Sequence, residues 1–233
     1  MKNKYSYIGL SAVILIFGII FIPRIVQRLA GGTVVENTRM SNSDNNFEHK
    51  NEVGFGVMTT IGKVPEFSFM NQRNDTISNA YYNDKVYVVE FFFSTCPSIC
   101  PIMTDNLLKV QEAFKDEDQF GIASFSIDPT YDTPEVLQEY ATDYGATHPH
   151  WNYLTGNKAN VLKLSNEGFR IYAAENAEVD GGFEHQGLFA LIDQEGNIRS
   201  RIDENGNPVI YYDGLTPEGI AMIIEDIKKL LKE

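Results

Sequence analysis

The chain has 233 residues, a formal net charge of −13 and two cysteines. That length suits one ordinary domain with additions. Two cysteines exclude a disulfide-stapled miniprotein and any four-thiolate metal centre, and the acidic balance argues against a nucleic-acid partner. The charge is uneven. Residues 1–35 carry Lys2, Lys4, Arg24 and Arg28 and no acid, which leaves 15 basic and 32 acidic side chains, a net −17, in the remaining 198 residues.

No residue from Tyr5 to Pro23 is charged, and Ile8–Ile22 reads IGLSAVILIFGIIFI. A helix needs about 20 apolar residues to cross the hydrocarbon layer, so 5–23 is expected to be one transmembrane anchor, with Tyr5 and Tyr7 at an interface. A cleaved signal peptide is the rival reading. Ala30, Gly31 and Gly32 are small enough for a cleavage site, but Arg28 stands where a small residue belongs. Residues 24–63, with Ser41-Asn42-Ser43-Asp44-Asn45-Asn46, read as a polar linker, and 64–233 as the folded domain.

In that domain Glu66–Met70 reads as a short strand and Lys85–Phe93, KVYVVEFFF, as a central strand covered on both faces. A helix follows, with Pro101 in its first turn and Met103, Leu107, Val110 and Phe114 on one face. Phe120–Ile127 is a second buried strand. Thr133-Pro134-Glu135 caps and opens a helix to about Tyr144. Trp151–Leu154 reads as a short strand, and Asn157 as the cap of a helix to about Asn166. Gly187–Asp193 and Ile198–Ile202 form a hairpin through Gln194-Glu195-Gly196-Asn197. Thr216-Pro217 starts a last helix with Ile220, Ile223, Ile224, Ile227 and Leu231 on one stripe. The alternation predicts an α/β domain with a mixed central sheet flanked by helices.

Both cysteines lie just past the carboxyl end of the central strand, in Cys96-Pro97-Ser98-Ile99-Cys100-Pro101. Ligands of open α/β sheets bind at such strand ends. A helix start favours thiolate at Cys96, and a spacing of four places two sulfurs on one face of a helical turn. They can then share a metal or pair as a disulfide. Two thiolates are an incomplete site. His148 and His150, in a proline-bearing turn, and His185, in a glycine-rich loop before a strand, are the candidates for a third ligand.

Four segments in register resemble the SCO/SenC family: Phe92–Pro101 with its C-x-x-x-C-P motif, Ser126–Glu135 with Asp128 and Asp132, Trp151–Gly156, and Glu184-His185 followed by Leu191-Ile192-Asp193 and Gly196. The resemblance implies a thioredoxin-like fold behind a single N-terminal anchor. It implies one copper, Cu(I) or Cu(II), held by Cys96, Cys100 and His185, and a role in assembling the copper site of cytochrome c oxidase, whose copper-site subunit is the acceptor. It also implies a bacterial inner-membrane protein with residues 1–4 in the cytoplasm and the domain in the periplasm. Soft thiolates with one imidazole suit Cu(I) independently.

On this reading the protein is a copper carrier and not an enzyme. The alternative is a thiol–disulfide oxidoreductase using Cys96 and Cys100 to reduce the acceptor's cysteines. The C-x-x-x-C spacing, and the absence of proline from His185-Gln186-Gly187, depart from the thioredoxin pattern. Asp128 and Asp132 either shape their turn or place a carboxylate near the metal or a partner. Glu90 interrupts the central strand six residues before Cys96, where the family is more often apolar. It is either turned to solvent or buried as a proton acceptor that tunes the cysteines.

Overall fold

The computed structural model describes residues 56–233 and, nearer the N-terminus, Leu15, Phe17, Ile19 and Ile22, all four helical. The rest of the expected anchor, and the expected linker up to residue 55, lie outside the described residues. Among the described residues no helix is long and apolar enough to cross a membrane. The chain divides into two units, Met1–Lys50 and Asn51–Glu233, and the second holds the core.

The strands of that unit are β1 (Met58–Lys63), β2 (Ser68–Asn71), β3 (Thr76–Ser78), β4 (Val86–Phe92), β5 (Phe120–Ser126), β6 (Trp151–Thr155), β7 (Ala173–Glu175), β8 (Phe183–His185), β9 (Leu188–Ile192), β10 (Asn197–Arg201) and β11 (Tyr212–Asp213). The helices are α1 (Ile99–Ala113), α2 (Pro134–Tyr144), α3 (Lys158–Lys163), which runs into a wider turn at Leu164–Phe169, and α4 (Pro217–Leu230). The main sheet has the order β1-β10-β9-β4-β5-β6-β2-β3, with β11 paired to β9. Strands β4, β5 and β6 are parallel, and β9 runs antiparallel to β4.

The six residues of β1 belong to the stretch expected to be linker, which is corrected here: the domain begins by residue 58, not 64. MTTIGK lies only half-buried at the sheet edge and pairs with β10. Its partner is distant in sequence, so no local pattern marks it as a strand. The caps follow expectation. The side chains of Thr133, Asn157 and Thr216 accept from the N–H groups of Val136, Asn160 and Gly219. Helix α2 stops at Gly145, whose φ of 77° is left-handed.

All seven residues of β4 are buried, which fits its unbroken apolar run at the sheet centre. Alternate residues point to opposite faces. On one face Phe91 packs with Phe125 and Phe169; on the other Phe92 packs with Tyr140 and Tyr153. The crossovers β4–α1–β5 and β5–α2–β6 run in one direction across the sheet, which puts α1 and α2 on the same face. Thr104 and Tyr140 accordingly share a hydrogen bond of 2.8 Å. Glu90 shares the face of Phe92, beneath these helices.

Candidate metal centre

Strand β4 delivers the chain into the turn that carries Cys96, and the Cys96 N–H donates to the Phe93 carbonyl. Asp132 fixes the start of this turn. Its buried carboxylate accepts from the Ser94 N–H at 3.1 Å and from the hydroxyls of Ser94 and Ser126, joining the cysteine turn to the end of β5. The Asp128 carbonyl accepts from the N–H groups of Tyr131 and Asp132. Asp132 thus shapes the turn through its carboxylate and Asp128 through its backbone carbonyl, and among the described residues neither belongs to the cluster of side chains that could hold a metal ion. Ser94 and Ser126 were missed in the sequence, where a lone serine near a strand end carries no signal.

Cys96 lies in the turn and α1 begins only at Ile99, so the expected placement of both sulfurs on one helical face is corrected. The turn itself folds back and brings them together. Cys96 is 7% exposed and Cys100 1%, and both are free thiols.

His185 arrives from the other side. Strands β7 and β8 form a two-stranded sheet of their own, in which Ala173 pairs with His185 and Glu175 with Phe183. At the tip Gly181 and Gly182 have φ of +87° and +80°. A Cβ on Gly181 would stand 2.9 Å from the Phe93 ring and 3.1 Å from Pro97, so the tip rests directly on the cysteine turn. His185 Nε2 lies 3.1 Å from Cys100 Sγ, and its ring meets Phe93 edge-to-face at 5.7 Å. Its Nδ1 is buried without a partner. The segment read as a glycine-rich loop is therefore a hairpin laid over the turn. A cavity of about 400 Å³ opens beside Cys96 and His185, with Val179, Asp180 and Phe183 in its wall.

The ligand atoms of Cys96, Cys100 and His185 all lie within 4.8 Å of one another. The two thiols are unequal. A hydrogen bond from Cys100 is the main cause that holds Cys96 down at about 3; burial opposes it, and His185 and the N–H groups of Cys100 and Ser98 add to it. Burial, then its role as donor to Cys96, pushes Cys100 up. One thiolate beside one thiol is a pair in which binding a cation releases a proton. Two sulfurs and one imidazole nitrogen at this spacing are a soft donor set that fits Cu(I).

His148 and His150 are elsewhere. They precede β6, parallel to β4, and so lie at the opposite end of the strands from Cys96. His148 packs on Phe120, and His150 Nδ1 meets the Tyr81 hydroxyl at 2.9 Å. Glu90 is fully buried, which removes the solvent-facing alternative. Its Oε1 accepts from the Ser124 hydroxyl at 2.6 Å, while Oε2 has no partner. Burial pushes its carboxyl up to about 7, against the Ser124 hydrogen bond.

The sequence and the fold match a known family. The SCO1/SenC family model matches residues 59–217, and the chain belongs to that family. It is 29% identical to the SCO1 protein homolog of Bacillus subtilis (strain 168) over 168 residues, 71% of this chain and 81% of the relative. The structure of BsSco, described with a disulfide switch as a member of the Sco family of cytochrome c oxidase assembly proteins, aligns at a TM-score of 0.63 and 26% identity, covering 76% of this chain and 98% of that one. The copper-bound structure of Bradyrhizobium japonicum ScoI aligns at 0.56 and 25% identity, covering 73% and 99%. The architecture is the thioredoxin-like one of these proteins.

Proposed function

We propose that the protein is a membrane-anchored copper carrier that assembles the copper site of cytochrome c oxidase, holding one copper per chain between Cys96, Cys100 and His185. The observation that carries this is the convergence of those three ligand atoms within 4.8 Å. The copper-bound relative and the oxidase-assembly description of BsSco support the choice of metal and of partner. Copper is the cargo, and a soft, exchangeable cation is what it supplies to the acceptor subunit. Cys96, already anionic, captures the ion, and Cys100 releases its proton as it joins. His185 closes from the hairpin, and release is ligand exchange onto the acceptor's thiolates. In this reading residues 5–23 hold the chain in a bacterial inner membrane, with 1–4 in the cytoplasm and the domain in the periplasm. The uncharged, largely apolar run of 5–23 supports that placement. The test is a titration of the full chain in detergent with Cu(I) against a competing chelator. One copper per chain, held at least about tenfold more weakly by His185→Ala, is the expected result; no copper taken from the chelator overturns it.

The buried Glu90 favours a second reading, a thiol–disulfide oxidoreductase. The Cys96 thiolate would attack an acceptor disulfide, forming a mixed disulfide and expelling one acceptor thiolate. Cys100 would give its proton to Glu90 and attack Cys96, leaving a Cys96–Cys100 disulfide and a reduced acceptor. Glu90→Gln should then change the pH dependence of Cys96 alkylation; an unchanged profile counts against any role of Glu90 in the pair.

A further inference from the structure

The copper reading makes His185 the ligand that comes and goes, yet apart from the Nε2 contact with Cys100 Sγ, which is part of the site itself, no directional bond holds its ring. The other ring nitrogen of a metal-binding histidine is normally fixed by a hydrogen bond, whereas the buried Nδ1 of His185 has none. On the side away from the sulfurs the imidazole is therefore placed only by the position of its strand and by the Phe93 ring. That strand belongs to a hairpin of three residues on each side, outside the main sheet, and isolated two-stranded hairpins are marginally stable in water.

Beyond its packing on Phe93 and Pro97, the hairpin is fastened by polar side chains at two places. At its base Asn166 brackets Ala173, donating to its carbonyl and accepting from its N–H. Nearer its tip the polar fastener is Lys158. Its ammonium pairs with the Glu175 carboxylate on β7 and stands 5.3 Å over the ring of Phe183 on β8. One cation thus grips both strands at the pair Glu175–Phe183, two residues from His185. Phe183 packs on Phe93 at 5.3 Å, and Phe93 on His185. Helix α3 gains nothing from a lysine here, because a cation in the first turn opposes the helix dipole.

We propose that Lys158 is a positioning residue for the copper site, a latch that clasps both strands of the His185 hairpin and sets how often the imidazole stands at the two sulfurs. Its leverage is bounded. A part-exposed ion pair and a surface cation–π contact are each weak, so unlatching lowers the closed fraction, and with it the apparent copper affinity, by at most about tenfold.

The inference rests on the copper reading for its consequence but not for its first test. Amide hydrogen exchange is measured across 173–185 in the metal-free full chain. Lys158→Met should speed exchange there several-fold, leave β4 and β5 unchanged, and be rescued by Lys158→Arg. Cu(I) affinity is then measured for Lys158→Met in the wild-type and His185→Ala backgrounds. A loss of about three- to tenfold in the first and none in the second is expected, since a latch acting through His185 has nothing to act on without it. Unchanged hairpin exchange, or an equal affinity loss in both backgrounds, overturns the latch. Failure of the wild-type chain to hold copper overturns the carrier reading, and the exchange result still decides the latch.

Discussion

Cys100 Sγ and His185 Nε2 stand 3.1 Å apart although 85 positions separate them in the chain. Two elements make that contact. The central strand β4 fixes the cysteine turn from below, and the β7–β8 hairpin lowers the histidine from above. Each element yields a prediction of its own.

The hairpin tip needs glycine at 181 for two reasons, its left-handed φ and its direct rest on Phe93 and Pro97. Gly182 has the first reason only, since a Cβ there meets nothing within 4 Å. Gly181→Ala should therefore lift the tip and weaken Cu(I) binding. Gly182→Ala should cost only the left-handed backbone strain of about 1–2 kcal/mol and leave copper affinity nearly unchanged. Chelator competition and denaturant unfolding of both variants check the contrast.

Asp132 satisfies three donors at the start of the cysteine turn. Asp132→Ala leaves them unpartnered in a buried site, which costs roughly 2–4 kcal/mol of stability. Because one of the freed groups is the backbone N–H of Ser94, copper affinity should also fall. A fall in the denaturant midpoint with no change in copper affinity would show that the bond does not position the turn.

Glu90 should give stability a pH dependence opposite to that of a paired carboxylate. Its carboxyl moves from an ordinary value of 4.5 to about 7 in the fold, mainly through burial. Between those values the folded chain keeps a proton that the unfolded chain has released, so stability falls as pH rises through the window. Glu90→Gln fixes the neutral form. It should add about 3 kcal/mol above pH 7 and nothing below pH 4.5, as read from unfolding curves across the range. An equal effect at both ends would mean that the carboxyl does not change charge in the fold.

Much of this was legible in the residues. The apolar run of β4, the caps at Thr133, Asn157 and Thr216, and a cysteine pair at a strand-to-helix turn are local signals, and each element stands within a few residues of its expected bounds. The three-residue β3, a local partner of β2, is too short to leave a pattern, and the rest of what escaped was set by contacts distant in sequence. Strand β1 exists because β10 pairs with it, and the β7–β8 hairpin because Lys158, Asn166 and Phe93 hold it, so its glycines read as flexibility. The choice among His148, His150 and His185 had the same character. Spacing left it open, the resemblance pointed to His185, and the parallel order of β4 and β6 puts the other two at the far end of the sheet.

X-ray absorption at the copper edge, on the full chain loaded with Cu(I), tests the central claim most directly. Two sulfur neighbours and one imidazole nitrogen are predicted, with one sulfur lost in Cys96→Ser, the imidazole lost in His185→Ala, and no change in His148→Ala or His150→Ala. A spectrum without sulfur, or one that His185→Ala leaves unaltered, would contradict the account.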